Sequence, residues 1–117
     1  MSTGWIVVVV LAAVVAVAVM SLRAGGADAP AAKDKIAQGA RVIDVRTVAE
    51  YASGSYKGAT NIPLAELSAR LPELGNKQKP LVVYCASGMR SAKAVKILAA
   101  AGFLDVTDAG GLRNLRQ

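Results

Sequence analysis

The 117-residue sequence predicts an α/β fold, a small parallel β-sheet of about four to five strands with helices on both faces, preceded by one transmembrane helix. Three observations carry this prediction. Short β-branched runs alternate with segments at helical spacing. The strongest run, Leu81-Val82-Val83-Tyr84-Cys85, is continuously apolar, as a strand covered on both faces should be. A long apolar stretch without a charged side chain opens the chain.

The elements follow in order. KDKIAQ, residues 33–38, makes a weak helical turn ending at Gly39, and RVIDV, residues 41–45, is a buried-type strand. In TVAEYASG, Thr47 is a helix N-cap, Glu50 stands at the capping-box position and Gly54 is the stop. ATNIP is a brief extended piece closed by Pro63, and LAELSARL carries Leu64, Leu67 and Leu71 at helical spacing, with Leu74 beyond. Pro80 launches the strand that ends in Cys85. SAKAVKILAAAG is an amphipathic helix, with Ser91 as its cap, Lys93 and Lys96 outward and Gly102 at its end. LDVTD is a last short strand, and GGLRNL begins a final helical turn. Strands alternating with helices imply parallel pairing through crossovers.

Between Met1 and Leu22, 18 of 22 residues are apolar and none is charged. The unbroken part, Trp5 to Leu22, gives roughly 27 Å of helix at about 1.5 Å per residue, close to the hydrocarbon thickness of a bilayer. Trp5 suits the headgroup level, and no polar stripe marks a soluble core helix. A cleaved signal peptide is the competing reading, with Ala27-Asp28-Ala29 resembling a cleavage site and a periplasmic domain as its result. Against it, Met1 to Gly4 carries no basic residue and Pro30 would follow the cut. Arg23, Lys33 and Lys35 all follow the segment, which places the domain on the cytoplasmic side of the inner membrane. The division expected is an anchor over residues 1–23, a flexible Gly- and Ala-rich linker over 24–33, and a folded domain over 34–117.

Composition excludes several chemistries. With no His and one Cys, the usual zinc sites, Cys–His and Ser–His–Asp nucleophile arrangements and a disulfide framework are all ruled out. The net charge of +6 sits entirely on residues 23–117, where the basic residues are scattered, and one Phe, one Trp and three Tyr are too few to stack bases. Small anions and anionic lipid headgroups fit this charge better than nucleic acid does.

The segment Cys85-Ala86-Ser87-Gly88-Met89-Arg90-Ser91 concentrates the chemistry that remains. A lone Cys at the C-terminal end of a buried strand sits where open α/β sheets bind ligands. A small-residue loop can turn several backbone N–H groups toward one point, and a helix start with Arg90 adds positive potential. Those features lower a thiol's pKa and hold an anion beside the thiolate. A buried Cys that only packs is the plainer alternative for a cysteine at a strand end.

CASGMRS, with IDVRTVAEY upstream and KGATNIPL between, resembles the rhodanese domain, a sulfurtransferase fold, in the small single-domain phage-shock protein E type. The resemblance runs from about Ala40 to Leu115. It implies that Cys85 takes a sulfane sulfur and becomes a persulfide. The amides of Ala86, Ser87, Gly88, Met89 and Arg90 would cradle that sulfur, with Arg90 assisting an anionic donor such as thiosulfate. Asp44 and Arg46 match the family's Asp-x-Arg pair beside the loop, and a structural salt bridge explains them equally well. With no second Cys, an external thiol, or cyanide in an assay, must collect the sulfur. No cofactor and no metal are implied. Relatives commonly carry a Gly-His pair where Gly54 is here followed by Ser55 and Tyr56, and the family's first edge strand is either missing or formed by the linker.

Three rivals remain. Phosphatases on this fold use Cys-x5-Arg, a loop one residue longer that fits a tetrahedral phosphate, whereas Cys85 and Arg90 give Cys-x4-Arg. A non-catalytic membrane-tethered binding module would not need Cys85. An arsenate- or redox-linked thiol enzyme would need a partner reductase, since the chain has no resolving Cys.

Overall fold

The computed structural model describes residues 26–116. Helix α1 (Ala29–Ala37) comes first, then strand β1 (Arg41–Asp44), helix α2 (Val48–Ala52) and strand β2 (Thr60–Asn61). Helix α3 (Leu64–Leu67) runs directly into a 3₁₀ helix, Ser68–Leu74. Strand β3 (Leu81–Cys85), helix α4 (Met89–Ala100), strand β4 (Val106–Gly111) and helix α5 (Leu112–Arg116) complete the order. The four strands form one sheet in the order β2-β1-β3-β4, and every pairing is parallel. The sheet is the four-stranded member of the range expected.

Strand β3 lies between β1 and β4 with all five residues buried. Its alternation splits the core in two. Leu81, Val83 and Cys85 join Leu67, Ala94 and Leu98 on one face, under α3 and α4. Val82 and Tyr84 join Ala32, Leu112 and Leu115 on the other, under α1 and α5. Each fully buried Val or Leu in such a strand contributes about 1.5–3 kcal/mol, and both faces need helical cover for that burial to exist. The same period of two decides which residues can meet Cys85.

Three boundaries differ from the sequence reading. The expected linker over 24–33 contains the first turns of α1, so the helical cover of the sheet reaches back to Asp28, before residue 34. Asp28 caps that helix by accepting from the Ala31 N–H at 3.0 Å, and Pro30 sits in its first turn where a missing N–H costs nothing. Ala32 is fully buried, and the Asp28 N–H donates to Asp108 O at 2.7 Å. Composition alone suggested a tether, but a cap, a Pro at the start and a run of Ala also start a helix. This segment is thus helical, and no edge strand precedes β1 among the described residues.

The leucine segment is the second difference. Leu64 to Leu74 is a short α-helix continuing as a 3₁₀ helix with Pro72 inside. Steps of three between Leu64 and Leu67 and between Leu71 and Leu74 suit the 3₁₀ period as well as the α period. Third, β4 runs on past Asp108 through Gly110 and Gly111, where the sequence predicts the start of the last helix. The apolar segment 5–22, read as an anchor, lies outside the described residues. Among the described residues no helix is long and apolar enough to cross a membrane.

Candidate active site

Strand β3 delivers Cys85 fully buried at its C-terminal end, with Ala86 and Ser87 exposed just beyond. Gly88 turns the chain at φ +106°, a left-handed conformation that a side chain would strain, and is the N-cap of α4. The helix therefore begins at Met89, and Ser91 is not its cap. Ser91 is instead buried in the first turn, where its hydroxyl donates to Gly88 O at 3.1 Å. That rotation brings Ser91 Oγ to 3.5 Å from Cys85 Sγ, while the Gly88 N–H donates to Sγ at 3.0 Å.

Two effects compete on the thiol. Burial pushes its pKa up. The Ser91 hydroxyl, which turns its one proton from Gly88 O to the sulfur when the thiol ionises, and the backbone N–H groups of Ser91, Gly88 and Ser87 stabilise the thiolate and together outweigh burial, so Cys85 ionises below its ordinary range. A buried thiolate surrounded by amides is a nucleophile with a place for extra negative charge.

Arg90 follows the loop but does not point freely at Sγ. Its two terminal nitrogens reach Glu50 Oε1 at 2.6 Å and Oε2 at 2.9 Å, a bidentate pair. Glu50 is also the capping-box residue of α2: Oε1 accepts from Thr47 N at 3.2 Å while Thr47 Oγ1 accepts from Glu50 N at 3.2 Å. The Arg90 guanidinium holds the Glu50 carboxyl down at about 2, with the Thr47 N–H adding to the effect. This pairing across 40 residues carried no local signal in the sequence.

Asp44 and Arg46 lie in a buried network on the other face of the sheet, the face of Tyr84. Arg46 Nη2 donates to Asp44 Oδ2 at 2.7 Å and to Gly54 O at 2.7 Å, and its guanidinium sits 5.5 Å from the centre of the Tyr84 ring. The Tyr84 hydroxyl donates to Asp44 Oδ2 at 2.6 Å and accepts from Tyr56 N at 3.0 Å. Burial, then the bond to Asp44, pushes the Tyr84 pKa up to about 12. The pair thus bears on the loop through Tyr84, the residue before Cys85, and not through contact with sulfur. Tyr56 thus joins this network, two residues after Gly54, whose carbonyl accepts from Arg46.

Sequence reasoning gave no role to Gly111. It pairs with Cys85 across β3 and β4, after a one-residue register shift at Val83/Tyr84. A Cβ there would stand 2.5 Å from Ala86 O, so only glycine lets β4 pass this close to the loop. The Gly110-Gly111 dipeptide was visible, but its partner across the sheet was not.

A buried Cys at a strand end, a tight turn over Ala86, Ser87 and Gly88 into a helix and a buried Asp-x-Arg pair define a rhodanese-like domain, and the family of that description matches residues 28–114. The chain belongs to the rhodanese-like domain family. It is 38% identical over 74 residues to thiosulfate sulfurtransferase PspE of Escherichia coli, covering 62% of this chain and 71% of that one. It is 31% identical over 96 residues to human thiosulfate:glutathione sulfurtransferase, covering 70% and 84%. The structure of the human single-domain sulfurtransferase TSTD1 superposes with a TM-score of 0.66 at 29% identity, over 73% of this chain and 88% of that one.

Proposed function

We propose that the chain is a rhodanese-type sulfurtransferase in which Cys85 carries sulfane sulfur as a persulfide. The observation that carries this reading is the Cys85 thiol, held below its ordinary pKa by the loop amides and Ser91. The relatives named for sulfur transfer support the same class.

In the first half-reaction the Cys85 thiolate attacks the outer sulfur of thiosulfate. The Sγ electron pair forms the new S–S bond, the old S–S bond breaks, and its electrons leave on sulfite. The terminal sulfur carries the negative charge, and the amides of Ala86 to Arg90 receive it. Because Arg90 shares its charge with Glu50, those amides do most of the work of holding the anion. In the second half-reaction an external thiol takes the sulfur, since the chain has no other cysteine to resolve the persulfide. The Cys-x4-Arg spacing favours this chemistry over phosphate-ester hydrolysis, because loop size selects the anion.

The apolar segment 5–22 is the proposed single-pass anchor in the inner membrane. Arg23, Lys33 and Lys35 after it support a domain on the cytoplasmic side.

The test is intact-mass measurement before and after thiosulfate. A gain of one sulfur, removed by cyanide and absent in Cys85→Ser, is the expected result, because a serine hydroxyl is not ionised at neutral pH. A free thiol with no adduct would turn attention to phosphate-ester hydrolysis.

A further inference from the structure

Beside the loop, Val45, Thr47, Pro63, Leu64 and Ala65 line an open groove of about 320 Å³, with Arg90 on its wall. The backbone fixes it against the active-site strand. The Val45 N–H donates to Tyr84 O at 3.1 Å, one residue before Cys85, and the Leu64 N–H donates to Val45 O at 3.0 Å. Val45 belongs to the same core cluster as Cys85, and Leu64 packs against that cluster. The sulfur cradle gives this groove nothing to do.

Its chemistry narrows what it can take. Both terminal nitrogens of Arg90 are held by Glu50, so the wall presents a neutral ion pair in place of a free cation. The Thr47 hydroxyl is also occupied, donating to Glu50 Oε1 at 3.1 Å and accepting from Glu50 N. A dianion would lose hydration there and meet a guanidinium whose charge Glu50 already balances. An aliphatic chain would lose nothing and would cover Val45, Pro63, Leu64 and Ala65. The volume suits a small molecule.

We propose that this groove is the acceptor subsite, and that the acceptor it selects is a small organic thiol with an uncharged aliphatic body. The assignment rests on the sulfur-transfer reading above. The acceptor enters as the thiol, its proton passes to the anionic terminal sulfur of the Cys85 persulfide, and the thiolate so formed attacks that sulfur. Its electron pair forms the new S–S bond, the enzyme's S–S bond breaks, and Cys85 leaves as a thiolate while the product is an alkyl hydropersulfide. No oxidant or reductant is consumed.

The full chain, loaded with thiosulfate and freed of excess, is unloaded by mercaptoethanol, mercaptopropanol, mercaptobutanol and mercaptohexanol, with cyanide as a reference. Intact mass follows the loss of the sulfur. The expected second-order rate constant rises about twofold to fourfold per methylene until the groove is filled, as burial of each methylene predicts. Mercaptopropionate should react more slowly than mercaptopropanol at equal thiolate concentration. Ala65→Asp, at an exposed position, should flatten the series. Loading that succeeds with a flat series in the unmodified chain, or a slope unchanged in Ala65→Asp, overturns the groove assignment alone. Failure of Cys85 to load overturns the sulfur-transfer reading and the groove assignment with it.

Discussion

At the scale of single residues, the thiol depends on atoms that stand outside its own loop. Gly111 never touches sulfur, yet its missing side chain lets Ala86 O sit where a Cβ would come within 2.5 Å. Replacing it with Ala forces either β4 or the start of the loop to move. Overpacking of this kind costs about 1–3 kcal/mol, which equilibrium unfolding in urea would measure. A loop displaced at Ala86 also carries the Ser87 and Gly88 amides away from Sγ. Burial then acts with less opposition, and the Cys85 pKa in Gly111→Ala should rise from its lowered value. The pH dependence of iodoacetamide alkylation reads that shift directly. An unchanged alkylation profile would mean that the amides keep their places without Gly111.

At the scale of elements, α2 and α4 are tied by one ion pair, and both ends of that tie have a second duty. Glu50 closes the capping box of α2, and Arg90 sits in the first turn of α4. The Glu50 carboxyl ionises at about 2 in the fold against 4.5 ordinarily, so its folded pKa is depressed. Its contribution to stability is therefore complete above about pH 4.5 and is lost as the pH falls towards about 2. Glu50→Gln should lower the thermal midpoint at neutral pH and make the midpoint fall less steeply over that acid interval. Glu73, also depressed by Arg70, keeps part of the slope in the variant. Equal slopes in the two proteins would show that the bridge carries no pH-dependent stability.

Elements also show what the sequence makes visible. Strand β3 was legible because a strand covered on both faces must be apolar at every position, and the Cys closing it was marked by that contrast. The α2 capping box was legible because Thr47 and Glu50 are three residues apart and their contact is local. Glu50 with Arg90, Tyr84 with Asp44 and Cys85 with Gly111 were not, since each pairing exists only after the sheet has formed. The cap of α4 lies three residues before Ser91, because a serine before an apolar run signals a cap whereas here Gly88 already makes the turn.

At the scale of the whole molecule, the domain boundary is set by what covers the second face of the sheet. Helix α1 closes that face with Ala32, and Ile36 packs at its edge. The Asp28 N–H bonds to Asp108 in β4, and Lys35 bridges Asp105 at 2.7 Å. The bridge is exposed enough to add little, so burial and the backbone bond carry the docking. A chain beginning at residue 26 keeps all of these groups, while one beginning at residue 34 keeps only the second half of the helix. The shorter chain should be less stable by on the order of 2–4 kcal/mol, through lost apolar cover and an unmet Asp108 carbonyl. Membrane attachment should divide at a different point. The full chain should stay with the membrane fraction through an alkaline wash, and the chain beginning at residue 26 should not. Stability unchanged by removal of residues 26–33 would mean that α1 is an appendage of the domain. A full chain released by the wash would remove the anchor from segment 5–22.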